Sequence, residues 1–320
     1  MRRPGRILTS LAVALVAALA APAAAAEFPS APIRLVTWSS VGGGGDVLAR
    51  QLAEPLSKHA RVPVVVVNRP GGGGATAMEY VSSQPADGYT LLVGTASGVI
   101  TPHVAGSRYS LADFKPVIRI QTDPEAFLVR ADAPWKTLED VLGAAKAQPS
   151  EVKFGGAFLG SLDSLLTYEV FRKNDLRFSY VPFDGGAEAM TALLGGHVAV
   201  LMTSLSEVTP QVEAGKVRIV GIASPERLKT YPDVPTLKEM GMDVVGEIWR
   251  GLVAPKDTPD DVVKKLHDLV QEAIKEPSFV KYTEEAKLLP GYLPPQAFGE
   301  SIRAEFTAYG NLVKEMGVRK

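Results

Sequence analysis

The apolar positions of residues 33–94 change period several times, and each change marks an element. Ile33-Arg34-Leu35-Val36-Thr37-Trp38 is a short apolar-rich run that reads as a strand, broken by the glycines at 42–45. Beyond them Val47, Leu48, Leu52 and Leu56 fall on one helical face, which predicts a helix from Asp46 to about His59 with Asp46 as its N-cap. Val62–Val67 is almost continuously β-branched, the pattern of a parallel strand buried on both faces. A second glycine run at 71–74 precedes a helix from about Ala75 to Ser83, and a Pro85-Ala86-Asp87-Gly88 turn leads into the strand Tyr89–Gly94. Strand and helix alternate, so the class is α/β with a parallel sheet.

The alternation returns downstream. Strands are predicted at Val152–Gly155, Arg177–Pro182, Val198–Met202 and Arg218–Ala223, with helices at Asp163–Lys173, Ala187–Gly195 and Leu205–Ala214 between them. This is a second α/β lobe. Two extended apolar segments flank it, Ala126–Val129 and Gly251–Pro255, and read as crossovers between lobes. The tail, Pro259 to about Ile274 and Pro295–Met316, has helical periodicity and is expected to pack back on the first lobe.

The start of the chain has another pattern. Arg2, Arg3 and Arg6, the apolar run Ile7–Leu19 and the exit Ala24-Ala25-Ala26 make the three regions of a secretory signal, cleaved near Ala26. The apolar run is shorter than the ~20 residues a membrane anchor needs. The chain contains no cysteine, which excludes disulfides, a thiol nucleophile, a cysteine-ligated metal and a lipid-bearing cysteine at the cleavage site. Export without a lipid anchor points to the periplasm. A net charge of -1 gives no electrostatic footprint for nucleic acid. The 294 residues that follow the expected cleavage suit one or two domains.

Candidate chemistry gathers where strands end and helices begin: Ser39, Ser40, Val41, Gly42, Gly43, Gly44 and Asp46; Thr95 and Ser97; Gly160, Ser161 and Asp163; Asp184 and Gly185; Thr203 and Ser204. Open α/β sheets bind ligands at such places. A glycine loop opening a helix presents backbone N–H groups beside the positive end of the helix dipole, so several together form a carboxylate trap. The same glycines also serve tight turns in any α/β protein. Arg250, beside Trp249 at the second crossover, has the geometry to clamp a carboxylate bidentately or to form a surface ion pair. Asp163 and Asp184 are placed for N-capping as well as for acid/base work.

Enzyme signatures are weak. Gly72-Gly73-Gly74-Ala75-Thr76-Ala77 fits a dinucleotide fingerprint without the acidic residue that should follow. No phosphate-binding P-loop, nucleophile elbow or zinc-protease motif is present, and His59, His103, His197 and His267 lack metal-ligand spacing. His197, in a Gly-Gly-His turn, reads as a turn residue rather than a base.

Several motifs occur in order along the chain: Pro32-Ile33-Arg34-Leu35-Val36, Gly43-Gly44-Gly45-Asp46-Val47-Leu48-Ala49-Arg50, Asn68-Arg69-Pro70-Gly71-Gly72-Gly73-Gly74, Asp87-Gly88-Tyr89-Thr90, Val181-Pro182-Phe183-Asp184-Gly185-Gly186, Leu194-Gly195-Gly196-His197 and Pro232-Asp233-Val234-Pro235-Thr236-Leu237. Together they resemble the extracytoplasmic solute receptors of tripartite tricarboxylate transporters, the Bug-type receptors, over essentially the whole exported chain. The resemblance implies an α/β, two-lobed type II periplasmic-binding-protein fold with two doubly wound sheets joined by crossover hinge segments. Lobe I is expected over 27–127 plus 252–320, and lobe II over 128–251, after a signal peptide at 1–26. The resemblance further implies a monomeric receptor without cofactor or metal that closes over a small di- or tricarboxylate and delivers it to the transporter's membrane components. Gly160-Ser161-Leu162-Asp163, Phe183-Asp184-Gly185-Gly186 and Trp249-Arg250-Gly251 are most similar to the tricarboxylate-binding branch, which makes citrate a lead. Ser164 stands where that branch often has histidine, and Trp38-Ser39-Ser40-Val41 lacks its usual proline and phenylalanine. A periplasmic enzyme acting on a carboxylated substrate and a solute-sensing adaptor are the alternatives.

Overall fold

The computed structural model describes residues 28–318, apart from Ser40, Ser150, Phe178 and Asp184; the expected export signal lies outside the described residues. Apolar strand sequences assemble into two sheets. The first contains β1 (Ile33–Thr37), β2 (Val64–Asn68), β3 (Thr90–Thr95), β4 (Lys115–Thr122), β10 (Arg250–Ala254) and β11 (Leu289–Leu293), in the order β11-β4-β10-β3-β1-β2. The second contains β5 (Glu125–Arg130), β6 (Phe154–Gly156), β7 (Tyr180–Pro182), β8 (Val200–Ser204) and β9 (Val217–Ile222), in the order β7-β6-β8-β5-β9.

The two sheets share one plan. In each, one strand lies between two parallel neighbours, β1 between β2 and β3 and β6 between β7 and β8. Next comes a strand that arrives from the other sheet: β10 antiparallel to β3 and β4, β5 antiparallel to β8 and β9. This reciprocal exchange is the two-lobed, type II periplasmic-binding-protein arrangement. It corrects the expectation of purely parallel sheets. Arg250 pairs with Thr95 and Glu125 with Ser204, so each incoming strand enters at the carboxyl ends of the parallel strands and must run against them.

The apolar segments read as crossovers, Ala126–Val129 and Gly251–Pro255, are therefore strand residues buried in the middle of the sheets, save Pro255, which follows the end of β10. Only a sheet interior pairs the backbone of so apolar a run. The chain crosses a few residues earlier in each case. Asp123 and Ile248 exchange backbone bonds of 3.1 and 2.9 Å, and Glu125 N donates to Gly246 O at 3.2 Å. This short antiparallel ladder links the sheets.

Around them pack α1 (Gly44–Ala60), α2 (Ala75–Ser82), α3 (Ser97–Ala105), α4 (Leu138–Ala147), α5 (Leu162–Lys173), α6 (Gly186–Leu194), α7 (Leu205–Glu213), α8 (Asp260–Ala273), α9 (Pro277–Glu285) and α10 (Pro295–Met316). The predicted face of α1 is buried: Leu48, Leu52 and Leu56 join Ile33 and Leu35 of β1 and Val263 and Leu266 of α8 in one cluster. Each such leucine contributes about 1.5–3 kcal/mol. β2, expected to be buried on both faces, is an edge strand, with Val65 47% exposed. Its valines reflect β-propensity rather than burial. The tail packs on the first sheet as expected, and α10 also reaches the second lobe's α5 through Arg172–Glu315 at 3.6 Å. Periodicity did not identify β4, α3, α4, α9 or β11.

Candidate functional site

The carboxyl ends of β1, β3, β6 and β8 converge on one cavity of roughly 250 Å³ between the sheets. Pockets for drug-sized ligands run ~300–1,000 Å³, so this one suits a small molecule. The first turns of α1, α5, α6 and α7 also line it, through Gly44 and Gly45, Asp163, Gly186 and Glu207. Gly43 and Gly185 cap α1 and α6 without a side chain of their own; in α1 Ser39 Oγ accepts from Gly45 N at 3.1 Å, and the other first-turn N–H groups take no side-chain bond from the cap residues. Ser161 caps α5 by accepting from Ser164 N at 3.3 Å.

Arg250 opens β10, is only 7% exposed, and faces this cavity. Its Nη2 lies 3.5 Å from Asp123 Oδ2, while its Nη1 is buried without a partner. Asp123 is fully buried and also accepts from Ser206 N at 3.1 Å and Ser206 Oγ at 2.5 Å. The guanidinium rests against Gly44, where an added Cβ would come within 2.7 Å of Nη2. Glycine is needed there for close approach. Of the two readings of Arg250, the surface ion pair is thus replaced by a buried one with a donor left over.

The other charged residues of the wall are acidic. Glu125, Asp163 and Glu207 line the cavity, and Arg250 is the one cationic side chain among its described lining residues. Burial pushes Glu125 well above the ordinary carboxylate range, helped by the charges of Asp163 and Asp123. Ser204 Oγ donates to Glu125 Oε1 at 2.9 Å, and Oε2 is buried without a partner. Burial raises Asp163 to about 6 against the bond it accepts from Ala157 N at 2.9 Å. Burial raises Glu207 as well, together with the charge of Asp123.

Of the residues singled out in the sequence, Ser39, Gly44, Thr95, Ser97, Ser161, Asp163, Gly185, Thr203, Ser204 and Arg250 meet in this cavity. Ser40 and Asp184 lie outside the described residues. Val41 is 77% exposed and does not line the cavity. Asp46 is not the N-cap of α1. It sits inside the first turn, where its carboxylate accepts from Arg50 Nε at 2.9 Å, Gly42 N at 2.9 Å and Asn68 Nδ2 at 2.8 Å. The Arg50 bond in particular holds it down at about 2. Asp46, Gly42 and Gly43 therefore build the loop rather than the cavity wall. Gly160 faces a neighbouring, mostly apolar cavity of roughly 380 Å³ lined by Ile100, Val104, Phe158 and Leu159. Asp163, likewise, stands inside its helix rather than at the cap. Ser164 is buried beneath the loop, accepting from Gly160 N at 2.8 Å and donating to Ser161 O at 3.0 Å, so this departure from the tricarboxylate branch shapes the loop and not the wall. His197 is exposed in its turn, as expected.

Sequence reasoning missed Glu125 and Glu207, together with Trp38 and Ile248; Gly45 and Gly186, which also line the cavity, lie within the glycine motifs the sequence marks. A signal was present for Glu125: an acidic residue immediately before a fully apolar strand enters a sheet with its charge. Among the described residues no group of three or more His, Cys, Asp or Glu could hold a metal ion, and no helix is long and apolar enough to cross a membrane.

A family model, the tripartite tricarboxylate transporter family receptor, matches residues 48–318. The chain belongs to this receptor family. Its relatives include a Cupriavidus necator protein encoded in the gbd 5' region, 33% identical over 95% of this chain and 93% of that one. The Bordetella pertussis protein BugT is 30% identical over 98% of each chain. Among solved structures, a Polaromonas TctC solute-binding protein without ligand superposes with a TM-score of 0.80 at 33% identity, covering 90% of this chain and 99% of that one. The R. palustris protein Rpa4515 with adipate gives 0.79 at 29%, covering 91% and 99%. MatC from Rhodopseudomonas palustris with bound malate gives 0.73 at 26%, covering 89% and 100%. The receptor is thus a solute-binding protein of a family that is not one of enzymes.

Proposed function

We propose that the receptor works in the periplasm, exported and cleaved near Ala26, and captures a small di- or tricarboxylate for the membrane components of a tripartite transporter. It acts as a monomer and does no chemistry on its ligand. The observation that carries the reading is Arg250: a buried guanidinium with an unpartnered Nη1, at the mouth of β10, in a cavity of small-molecule size that the glycine-capped first turns of α1 and α6 also line. An anion there gains a charge-assisted hydrogen bond and two helix ends at once. Adipate in one structural relative and malate in another support the class.

The two sheets serve as the lobes, and the ladder at Asp123–Glu125 and Gly246–Ile248 serves as the hinge. The lobes thus divide a few residues upstream of the expected 127/128 and 251/252 boundaries. Ligand binding selects the closed form, which the transporter recognises. The test is a thermal-shift screen of the exported form with mono-, di- and tricarboxylates, sugars and amines. A ligand at 100 times its Kd adds about 2.7 kcal/mol to stability. Stabilisation by a carboxylate is the expected result; stabilisation by sugars or amines alone overturns the reading.

A further inference from the structure

The cavity that should attract a carboxylate is lined by three carboxyl groups and one guanidinium, and the guanidinium is already shared with Asp123. If all were charged, a dianionic ligand would meet repulsion from most of the wall. One group resolves the conflict. Glu125 lines the cavity, is 1% exposed, has its Oε1 held by Ser204 Oγ, and keeps its Oε2 buried without a partner. Unpaired buried oxygens are costly, and a carboxylate that bears a proton turns such an oxygen into a donor.

Resting on the carboxylate reading above, we propose that Glu125 enters the complex as a neutral carboxylic acid and donates its O–H to the ligand's carboxylate. Arg250 Nη1 and Glu125 Oε2 then form two donors of unequal kind, one on β10 of the first sheet and one on β5 of the second. A proton becomes part of what the receptor recognises. The site takes a carboxylate that can accept from both lobes, and it binds that acid more tightly as pH falls.

The groups that face Glu125 all push the same way, except one. Asp123 precedes it in the hinge, Asp163 approaches from α5, and Glu207 from α7; each charge favours the protonated form of Glu125. Tyr180 of β7 donates to Ala157 O at 2.8 Å and stays neutral because burial raises it. Arg250 is the single opposing charge and is engaged by Asp123. An arriving anion adds to the push, so binding draws a proton onto Glu125 wherever it is partly ionised.

The experiment is calorimetry with malate and adipate, whose carboxyls are both ionised throughout, over about pH 7 to 9 in two buffers of different ionisation enthalpy. The expected result is affinity that falls with rising pH, by as much as about tenfold per unit, with net proton uptake. Glu125→Gln, which always presents a donor, should lose that slope and bind more tightly than the parent at the alkaline end. Asp163→Asn and Glu207→Gln should keep a pH-dependent affinity, displaced toward lower pH because each removes a charge that favours the proton on Glu125. Carboxylate binding that is flat in pH overturns the proposal, as does a Glu125→Gln variant that retains the parent's slope. A Glu125→Gln variant that weakens malate while the parent prefers an ammonium-bearing acid also overturns it, because Glu125 would then act as an anion. Absence of binding by any carboxylate at any pH would instead sink the functional reading itself. The parent's own profile needs no variant, so misfolding of one cannot leave the question open.

Discussion

Replacing Arg250 by methionine removes the one cationic side chain among the described residues of the cavity wall and keeps most of its stem. Two effects follow and can be measured apart. Asp123, fully buried, loses a charge 3.5 Å away but keeps its bonds from Ser206 N and Oγ. Breaking a buried pair costs about 3–5 kcal/mol, and the two surviving bonds put this case near about 3. At roughly 2–4 °C per kcal/mol for a large domain, the unliganded melting temperature should fall by about 6–12 °C. The ligand loses a charge-assisted hydrogen bond of about 1.5–3 kcal/mol, or ~10- to 150-fold in affinity. Thermal melts read the first number and calorimetry with the best carboxylate reads the second. Asp123→Asn added to Arg250→Met removes the stranded charge, so the double variant should regain most of the lost stability and little of the lost affinity. If the double variant regains both, or the single variant binds as the parent does, Arg250 only shores up the hinge and the argument for the anion site fails.

Gly186→Ala would place a Cβ into Glu207 Oε2 and 2.9 Å from Thr203 Oγ1, pushing the Glu207 carboxylate into the cavity. Affinity should drop about tenfold, ~1.4 kcal/mol, with little change in unliganded melting; equal affinity would show that the cavity has room to spare. Asp163 is raised to about 6 from the ordinary 3.8. Its proton is released near 3.8 in the unfolded chain and near 6 in the fold, so its contribution to stability is full below 3.8 and lost as pH rises through about 6. Asp163→Asn should therefore raise stability at neutral pH, on the order of 2 kcal/mol, and give no gain near pH 3.5; a gain equal at both would refute the titration argument. Asp46, held at about 2, works in the opposite sense: its contribution is present above 3.8 and lost as pH falls toward 2. Asp46→Asn should cost about 1 kcal/mol at neutral pH, since Arg50 is half-exposed and screened, and nothing in strong acid.

Much of this site was legible because glycine and small hydroxyl residues at strand ends mark both a turn and a close approach. Gly44 and Ser161 needed no tertiary knowledge to be singled out. Asp46 and Asp163 were placed at caps because local sequence gives the residue type but not the exact first turn; the helices begin earlier, at Gly44 and Leu162. Glu207 was invisible, and the signal at Glu125 was easily passed over, because a single charge beside an apolar run carries no periodicity; the meaning of Glu125 depends on Asp123 two residues before it and on Asp163 and Glu207 brought from distant helices. Strand direction was also hidden. Nothing in Arg250–Ala254 says that it enters its sheet from the far lobe, and that entry makes it antiparallel and puts Arg250 at the cavity. β4 escaped notice for a related reason: Lys115–Thr122 mixes polar and apolar positions because β10 and β11 flank it while one end runs into the hinge.

The most direct test of the central claim is a crystal structure of the exported form with its tightest-binding carboxylate. The account predicts one carboxylate within hydrogen-bonding distance of Arg250 Nη1 and of the first turn of α1, with Glu125 on the opposite side of the ligand. A ligand seated instead in the apolar cavity beside Ile100 and Val104, or in the surface groove by Lys115 and His267, would contradict it.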